Sequence, residues 1–325
     1  MSSPAIAGNQ FLRQYSLVLA GQAGEAIDLS ELHFTFQVHA NDTETPNTAY
    51  IRVYNVSDAT INRVIKEYDT VQLQAGYQGG NFSQIFNGVV KQFRRGRERN
   101  VDSYLDIAAA DGDPNYNFGV VNTTFAAGAS AQEQLNTYAK AMGLPVDPNA
   151  SSFLLGGVLL NPRGKTAFGL ARVYMRDLAE THGVRWSIQN GVLTLIPITG
   201  YLPGTIVEIN SATGMIGVPE ATDDGIHIQT LLNPTFKVGG RVRIRNRDIN
   251  QTTIVNQFFP NYATPPTFVA RVTEDGDYRI LVIEHEGDTR GQSWYTNLTC
   301  LSLDPSSTPN MSVSPFGDAS NPGGR

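Results

Sequence analysis

A single cysteine, Cys300, stands in this chain of 325 residues. That excludes an intramolecular disulfide and a cysteine-rich metal site, and it agrees with synthesis in a reducing cytoplasm. Charge is also scarce. Asp, Glu, Lys and Arg make up 17% of the sequence, which is low for a soluble monomer and fits a surface that other subunits cover. There is no basic excess: the formal net charge is −6. Bulk attraction to nucleic acid is therefore not expected, because phosphate binding needs a basic footprint. No apolar run approaches the roughly 18 residues of a membrane span, and stretches such as 280–283 are strand-sized. Residues 1–7 show neither the basic region nor the apolar core of a signal peptide.

What is present is pattern. With 41% hydrophobic residues the chain can bury real cores, and its length calls for two or three domains. Leu32, Phe34, Phe36 and Val38 alternate with polar residues, which predicts a strand with one buried face. Ala49, Ile51 and Val53 repeat the alternation, as do Val71, Leu73, Ala75 and Tyr77. Further strands are expected at 84–90 and 103–108. Ser57 is placed to cap a helix over 57–67 with Ile61, Val64 and Ile65 on one side. The sum is a small antiparallel barrel or sandwich over about residues 10–112.

The middle of the chain changes period. Ser130-Ala131-Gln132-Glu133 reads as a capping box. Leu135, Tyr138, Ala139 and Met142 follow at helical spacing, and Gly143 ends the helix before Pro145. A second helix is predicted over 166–182 from Ala167, Leu170, Ala171, Tyr174 and Leu178, with Gly183 as its terminator. Asn190-Gly191 between 184–189 and 192–196 predicts a hairpin with a type I′ turn. The last third is β again, with strands expected at 236–238, 241–245, 267–273, 278–284 and 295–301, and a turn at 274–277. From Asp304 onward the composition is that of a disordered tail. The two β thirds are similar in plan, but no repeat aligns between them.

Signals for chemistry are weak. Gly164-Lys165-Thr166 follows an apolar run, but the phosphate loop's first glycine is replaced by Leu159 and Pro162 removes an amide, so Thr166 is read as a helix cap. Asp111-Gly112-Asp113-Pro114-Asn115 lacks the glycine and the glutamate of a calcium loop and reads as an Asx-rich turn at a domain boundary. Glu284-His285-Glu286, placed at the end of a strand, has no second histidine four residues on. The five histidines (His33, His39, His182, His227, His285) are scattered in sequence, with His33 and His39 on the polar face of their strand. Cys300 is flanked by leucines and reads as a buried, inert thiol. No catalytic residue, cofactor or metal ligand is assigned. Two basic stretches stand out. Arg94, Arg95 and Arg97 belong to a predicted hairpin tip, and Arg241, Arg243 and Arg245 lie on one face of one strand. Guanidinium forks suit carboxylates of a neighbouring chain, so these six arginines are candidate interface residues.

Four segments occur in order: Ala49-Tyr50-Ile51-Arg52-Val53-Tyr54-Asn55-Val56-Ser57-Asp58, then Val71-Gln72-Leu73-Gln74-Ala75-Gly76-Tyr77, then Ile85-Phe86-Asn87-Gly88-Val89-Val90, then Ala108-Ala109-Ala110-Asp111-Gly112-Asp113. This series resembles the N-terminal region of baseplate hub proteins of contractile-tailed bacteriophages. Leu231-Leu232-Asn233-Pro234-Thr235-Phe236-Lys237-Val238-Gly239 resembles the entry to that family's second barrel. The resemblance implies an α+β, mainly β fold: two tail-tube-like antiparallel β-barrel domains (1–112 and 201–305), an α+β insertion module (113–200) and a flexible tail (306–325). It implies a non-enzymatic structural subunit of the virion tail baseplate, made in the host cytoplasm. Three copies would form a homotrimeric ring that joins the sixfold tail tube, or its initiator protein, to the central spike protein. DNA would pass through without specific binding. The tape measure protein is a further partner implied, and no membrane insertion by this chain is implied. Three other readings stay open: a sixfold tube initiator or distal tail protein, a carbohydrate-active or peptidoglycan-processing enzyme on a β scaffold, and a nucleotide-binding protein using Gly164-Lys165-Thr166.

Overall fold

The computed structural model describes residues 10–21, 24–98, 102–154, 163–222, 225–245, 250–251 and 276–302. The predicted strand at 267–273, the first half of the turn at 274–277 and the tail from 306 lie outside them.

The first β region contains β1 (Arg13–Ala20), β2 (Ala26–Asp28), β3 (Phe34–Asn41), β4 (Thr48–Tyr54), β5 (Thr70–Tyr77), β6 (Phe82–Arg97) and β7 (Ser103–Ala110). Helix α1 (Asp58–Glu67) lies between β4 and β5. The alternation seen in sequence is what builds it. Phe34, Phe36 and Val38 are buried together with Ala49, Ile51 and Val53 and with Val71, Leu73, Ala75 and Tyr77. The Ser57 side chain caps α1 by accepting from the Thr60 amide. Ile61 and Val64 enter the core, whereas Ile65 stays 46% exposed.

The middle module contains α2 (Asp113–Phe118), β8 (Val120–Phe125), α3 (Ala131–Met142), α4 (Ala150–Phe153), β9 (Lys165–Leu170), α5 (Ala171–Thr181), β10 (Val184–Gln189) and β11 (Val192–Pro197). Ser130 caps α3 through the Glu133 amide at 3.1 Å, and Gly143 closes it at φ 68°. Asn190 and Gly191 take positive φ at the predicted hairpin turn. The predicted helix over 166–182 starts late. Residues 165–170 form β9, paired antiparallel with β8, and α5 begins at Ala171. Gly169 at φ 139° breaks the helical run, and Ala167 between exposed Thr166 and Phe168 supplies strand alternation instead.

The second β region contains β12 (Val207–Glu208), β13 (Met215–Thr222), β14 (Gly225–Leu231), β15 (Arg241–Arg243), β16 (Asn250–Gln251), β17 (Asp277–Asp288) and β18 (Trp294–Ser302), with a 3-10 turn at Ser211–Thr213. Residues 236–238 are not a strand. Phe236 and Val238 are buried, but between Pro234 and Gly239-Gly240 the backbone runs through turns.

All these strands except β8–β11 belong to one mainly antiparallel sheet, in the order β16-β13-β14-β18-β17-β3-β4-β7-β6-β5-β1-β2, with β15 and β12 branching from β17. The two β regions repeat one hydrogen-bond plan. The hairpins β6–β7 and β17–β18 each carry one register break, at Lys91 between Val90 and Gln92 and at Leu281 between Ile280 and Val282. The amide before each break reaches back to the residue preceding the adjoining strand, Val90 to the Asp69 carbonyl at 2.7 Å and Ile280 to the Gly240 carbonyl at 3.0 Å. The residues after β4 and β14 bond alike to the starts of β7 and β18, Asn55 to Ser103 at 2.9 Å and Leu232 to Trp294 at 3.0 Å. Thus β3, β4, β7, β6 and β5 correspond to β13, β14, β18, β17 and β15. The repeat lies in bonding and burial, not in residue identity, and so no alignment of the two thirds reveals it.

Candidate assembly surfaces

The two repeats meet where β17 pairs with β3. The first residues of β17 pair with β15; after the bulge at Leu281, residues 282–288 pair with Asn41 through Thr35 of β3. On the core side of this seam Gly287 leaves room for Phe36 and Trp294, since a Cβ there would collide with both rings. On the outer side, cross-strand rows run over both repeats. One row is Asp288, Thr35, Arg52, Asp106 and Arg94. The next is Tyr295, Glu286, Gln37, Tyr50, Ala108 and Gln92. Arg52 grips Asp106 by two bonds, at 2.7 and 3.1 Å. His39 meets Glu284 at 3.1 Å and His33 meets Asp288 at 2.8 Å, so both histidines lie on the polar face. Burial alone would raise the Asp288 carboxyl, but the amides of Arg290 and Gly291 and the His33 ring hold it below the ordinary carboxylate range. A hollow of about 590 Å³ opens on this face beside Tyr50, Arg52 and Glu286. Among the described residues no lysine or arginine side chain pairs with the carboxylates of Glu284, Glu286 or Asp288.

A buried charge cluster ties the three cores together. Asp42 follows β3, Arg185 is on β10 and Arg279 is on β17, and their side chains are 4%, 5% and 3% exposed. Arg185 Nη1 donates to both Asp42 oxygens, at 2.9 and 2.8 Å. Arg279 Nη2 lies 3.6 Å from Asp42 Oδ2. Its Nη1 donates to the carbonyls of Pro197 (2.5 Å) and Ile198 (2.8 Å), with Gly200 at 3.4 Å. Burial lowers the Arg279 pKa and Asp42 opposes it. Nearby, the buried Asp111 carboxylate accepts from the Asn190 and Gly191 amides at the hairpin tip. Asn47 Nδ2 donates to Ile188 O and Gln189 Oε1, both at 3.0 Å. The Asp111 segment is thus a turn that clamps the middle module to the first β region. Burial pushes the Asp111 carboxyl up to about 6 against the pull of those two amides.

The six candidate arginines separate. Arg241 and Arg243 converge on one carboxylate, Asp277 of β17, and Arg241 also stacks on Tyr201 at 4.8 Å. Burial would raise Asp277, and the two guanidinium groups overcome it and lower its pKa. Arg245 is 4.0 Å from Glu208. Arg94, Arg95 and Arg97 are not at a hairpin tip: β6 runs on to Arg97, and the turn is closed by the Glu98 amide on the Asp102 carbonyl at 2.9 Å. The ladder of β6 with β7 down to Arg97–Ser103 holds this stretch extended. Arg95 is 3.7 Å from Asp58, and among the described residues Arg94 and Arg97 have no ion pair.

The chemistry signals come apart in space. Lys165 lies on β9 with Nζ 5.9 Å from the Tyr174 ring centroid, and no helix begins at Thr166, which therefore caps nothing. Glu284-His285-Glu286 sits inside β17, not at its end. His285 is buried, with Nδ1 2.8 Å from Thr296 Oγ1, and burial lowers its pKa to about 4. Cys300 is buried, which pushes its thiol pKa up. Among the described residues no three metal-ligating side chains converge, and no helix is long and apolar enough to cross a membrane. The seam and the Asp42 cluster had no sequence signal, because their members are far apart in the chain and share no motif.

Residues 31–259 match the family described as Baseplate hub gp41. The chain belongs to this baseplate hub family. No curated protein sequence matches it. In fold the hub is similar to the 43 kDa tail protein of prophage MuSo2 from Shewanella oneidensis, at TM-score 0.53 and 8% identity over 90% of this chain and 98% of that one. It is similar to a tail protein from Neisseria meningitidis MC58 at TM-score 0.53 and 8% identity, covering 89% and 96%. It is also similar to an E. coli component of the type VI secretion system, itself described as similar to T4 bacteriophage tail proteins gp27 and gp5, at TM-score 0.50 and 9% identity, covering 83% and 73%. The hub is a mainly β structural protein of the tail baseplate, and its place is the virion tail.

Proposed function

We propose that three hub chains close into a ring that joins the sixfold tail tube to the threefold central spike and surrounds the DNA channel. The observation that carries this reading is the repeat. One chain holds two units of the same bonding plan, joined edge to edge by β17 and β3, so three chains supply six near-equivalent wall units. Each chain offers eight consecutive strands, β13-β14-β18-β17-β3-β4-β7-β6, with one face toward the cores and one polar face. Closing 24 such strands gives a backbone ring about 50 Å across at the usual strand spacing and barrel tilt, which leaves a bore for a duplex. On this reading the polar face lines the bore, where Glu284, Glu286 and Asp288 repel phosphate and let DNA pass without specific binding. The ring acts without catalysis.

The same reading takes each β region as a tail-tube-like barrel and divides the chain into 1–112, 113–200, 201–305 and a tail from 306. Its partners are the tube or tube-initiator protein, the spike and the tape measure protein, and the host cytoplasm is the place of synthesis. Arg94, Arg95, Arg97 and Arg245 remain interface candidates, while Arg241 and Arg243 serve the β15–β17 pairing. The test is native mass at micromolar concentration. A trimer supports the ring. A hexamer replaces it with a sixfold tube-initiator role, and a monomer overturns self-assembly of the ring.

A further inference from the structure

The repeat leaves two strand edges whose equivalents are already paired within the chain. Past its bulge, β17 uses the side away from β18 to hold β3. The equivalent half of β6, residues 92–97, has no strand on that side among the described residues. Val89 is flanked by Thr70 of β5 and Ala110 of β7, so the two partners lie on opposite sides, and β5 pairs no further. At the other end of the eight strands, β13 is the equivalent of β3. Among the described residues, its side away from β14 carries only the two-residue strand β16, paired in parallel at Glu220 and Ala221. Open edges of this kind are templates for another chain.

We infer that a second copy of this chain docks by laying its β13 antiparallel along residues 92–97 of β6, in the register that β3 takes on β17. This deepens the ring reading and rests on it. The bulges at Lys91 and Leu281 set the equivalence, so Arg94 takes the place of Glu284. The paired rows β14–β18 and β4–β7 set the other side, so Thr222 takes the place of His39 and Glu220 that of Gln37. Arg94 then faces Thr222 of the next copy, and Gly96 faces Glu220. Charge agrees with this choice. Arg94 gains a diagonal neighbour in Glu220, whereas two β6 edges would set Arg94, Arg95 and Arg97 against the same three arginines. The contact joins two different surfaces, so it repeats head to tail and closes when the angle allows. In the isolated chain β16 covers part of the β13 edge, and the incoming strand replaces it.

Residues directly opposed across antiparallel strands hold their Cβ atoms about 4.5–5.5 Å apart, close to disulfide reach. The test is the double variant Arg94→Cys with Thr222→Cys, mildly oxidised and run on a non-reducing gel; the native Cys300 is buried. Covalent trimers are expected from the double variant and only single chains from either single variant. Arg94→Cys with Ile216→Cys, displaced along the edge, should not cross-link. A trimer by native mass whose double variant fails to cross-link, or whose displaced pair cross-links instead, overturns the seam and leaves the ring reading standing. A monomer by native mass overturns the self-assembling ring. The cross-link is then read in assembled tails, where its absence overturns the seam as well.

Discussion

Replacing Asp42 with alanine should destabilise the hub more than any other single carboxylate change. Asp42 is the one carboxylate held between Arg185 and Arg279, and all three side chains are almost wholly buried. Removing it leaves two guanidinium groups out of water with their mutual repulsion unopposed. Arg279 keeps its carbonyl acceptors on Pro197 and Ile198, so its charge stays partly solvated by the chain. Arg185 loses both of its bonds to Asp42. Breaking a buried pair from one side costs about 3–5 kcal/mol, which for a protein of this size lowers the melting temperature on the order of 10 °C. Chemical denaturation of Asp42→Ala beside the parent chain is the assay. Asp42→Asn, which keeps one acceptor, should cost less. The triple variant Asp42→Ala, Arg185→Met, Arg279→Met should recover most of the loss, because no charge is left buried. A cost below about 1 kcal/mol for Asp42→Ala would refute the reasoning, since it would mean the guanidinium groups find water.

Two further perturbations test other parts of the structure. Burial lowers the His285 pKa from 6.5 to about 4, so its share of stability is complete above pH 6.5 and is lost as pH falls toward 4, up to about 3 kcal/mol. Asp111, raised from 3.8 to about 6, acts in the opposite sense: its share is complete below pH 3.8 and is lost as pH rises to 6. Denaturation curves between pH 4 and 7 should therefore lose their acid-side fall in His285→Asn and their opposing slope in Asp111→Asn; unchanged slopes in both would count against the burial of these groups. Gly287→Ala should cost at least about 1–3 kcal/mol by overpacking, because the new methyl meets Phe36 and Trp294 at the seam. An alanine variant as stable as the parent would show that β17 and β3 can separate there without loss.

Local features were legible in the sequence, and nonlocal ones were not. Alternation placed β3, β4 and β5, the caps Ser57 and Ser130 placed α1 and α3, and Asn190-Gly191 placed the β10–β11 turn, because each depends on neighbours within a few residues. The stretch 166–170 deceived because Ala167, Leu170, Ala171, Tyr174 and Leu178 fit a helical stripe, while the pairing of β9 with β8 is settled by a partner more than forty residues away. The strands β1, β13 and β14 gave no separate signal. Arginines 94, 95 and 97 were visible as a cluster, but that they lie along a strand edge with no partner among the described residues follows only from where β5 stops pairing.

The repeated bulge explains how one strand serves two neighbours. Both β6 and β17 are long enough to pair with different strands along their two halves, and an extra residue in a strand bends it and strengthens its local twist. In β17 the bend at Leu281 separates the half that meets β15 from the half that meets β3. Beside it, Arg279 ties the bend to Asp42 and, through it, to Arg185 of the middle module. The angle between the two repeats is therefore fixed by a backbone irregularity and a buried charge cluster together, rather than by a free linker. In β6 the same bend at Lys91 leaves residues 92–97 directed past β5. If a second copy docks there, it meets a strand already bent as β17 is, and the angle between chains follows the angle within one. That is the geometric condition under which two units per chain close as six instead of growing as an open helix.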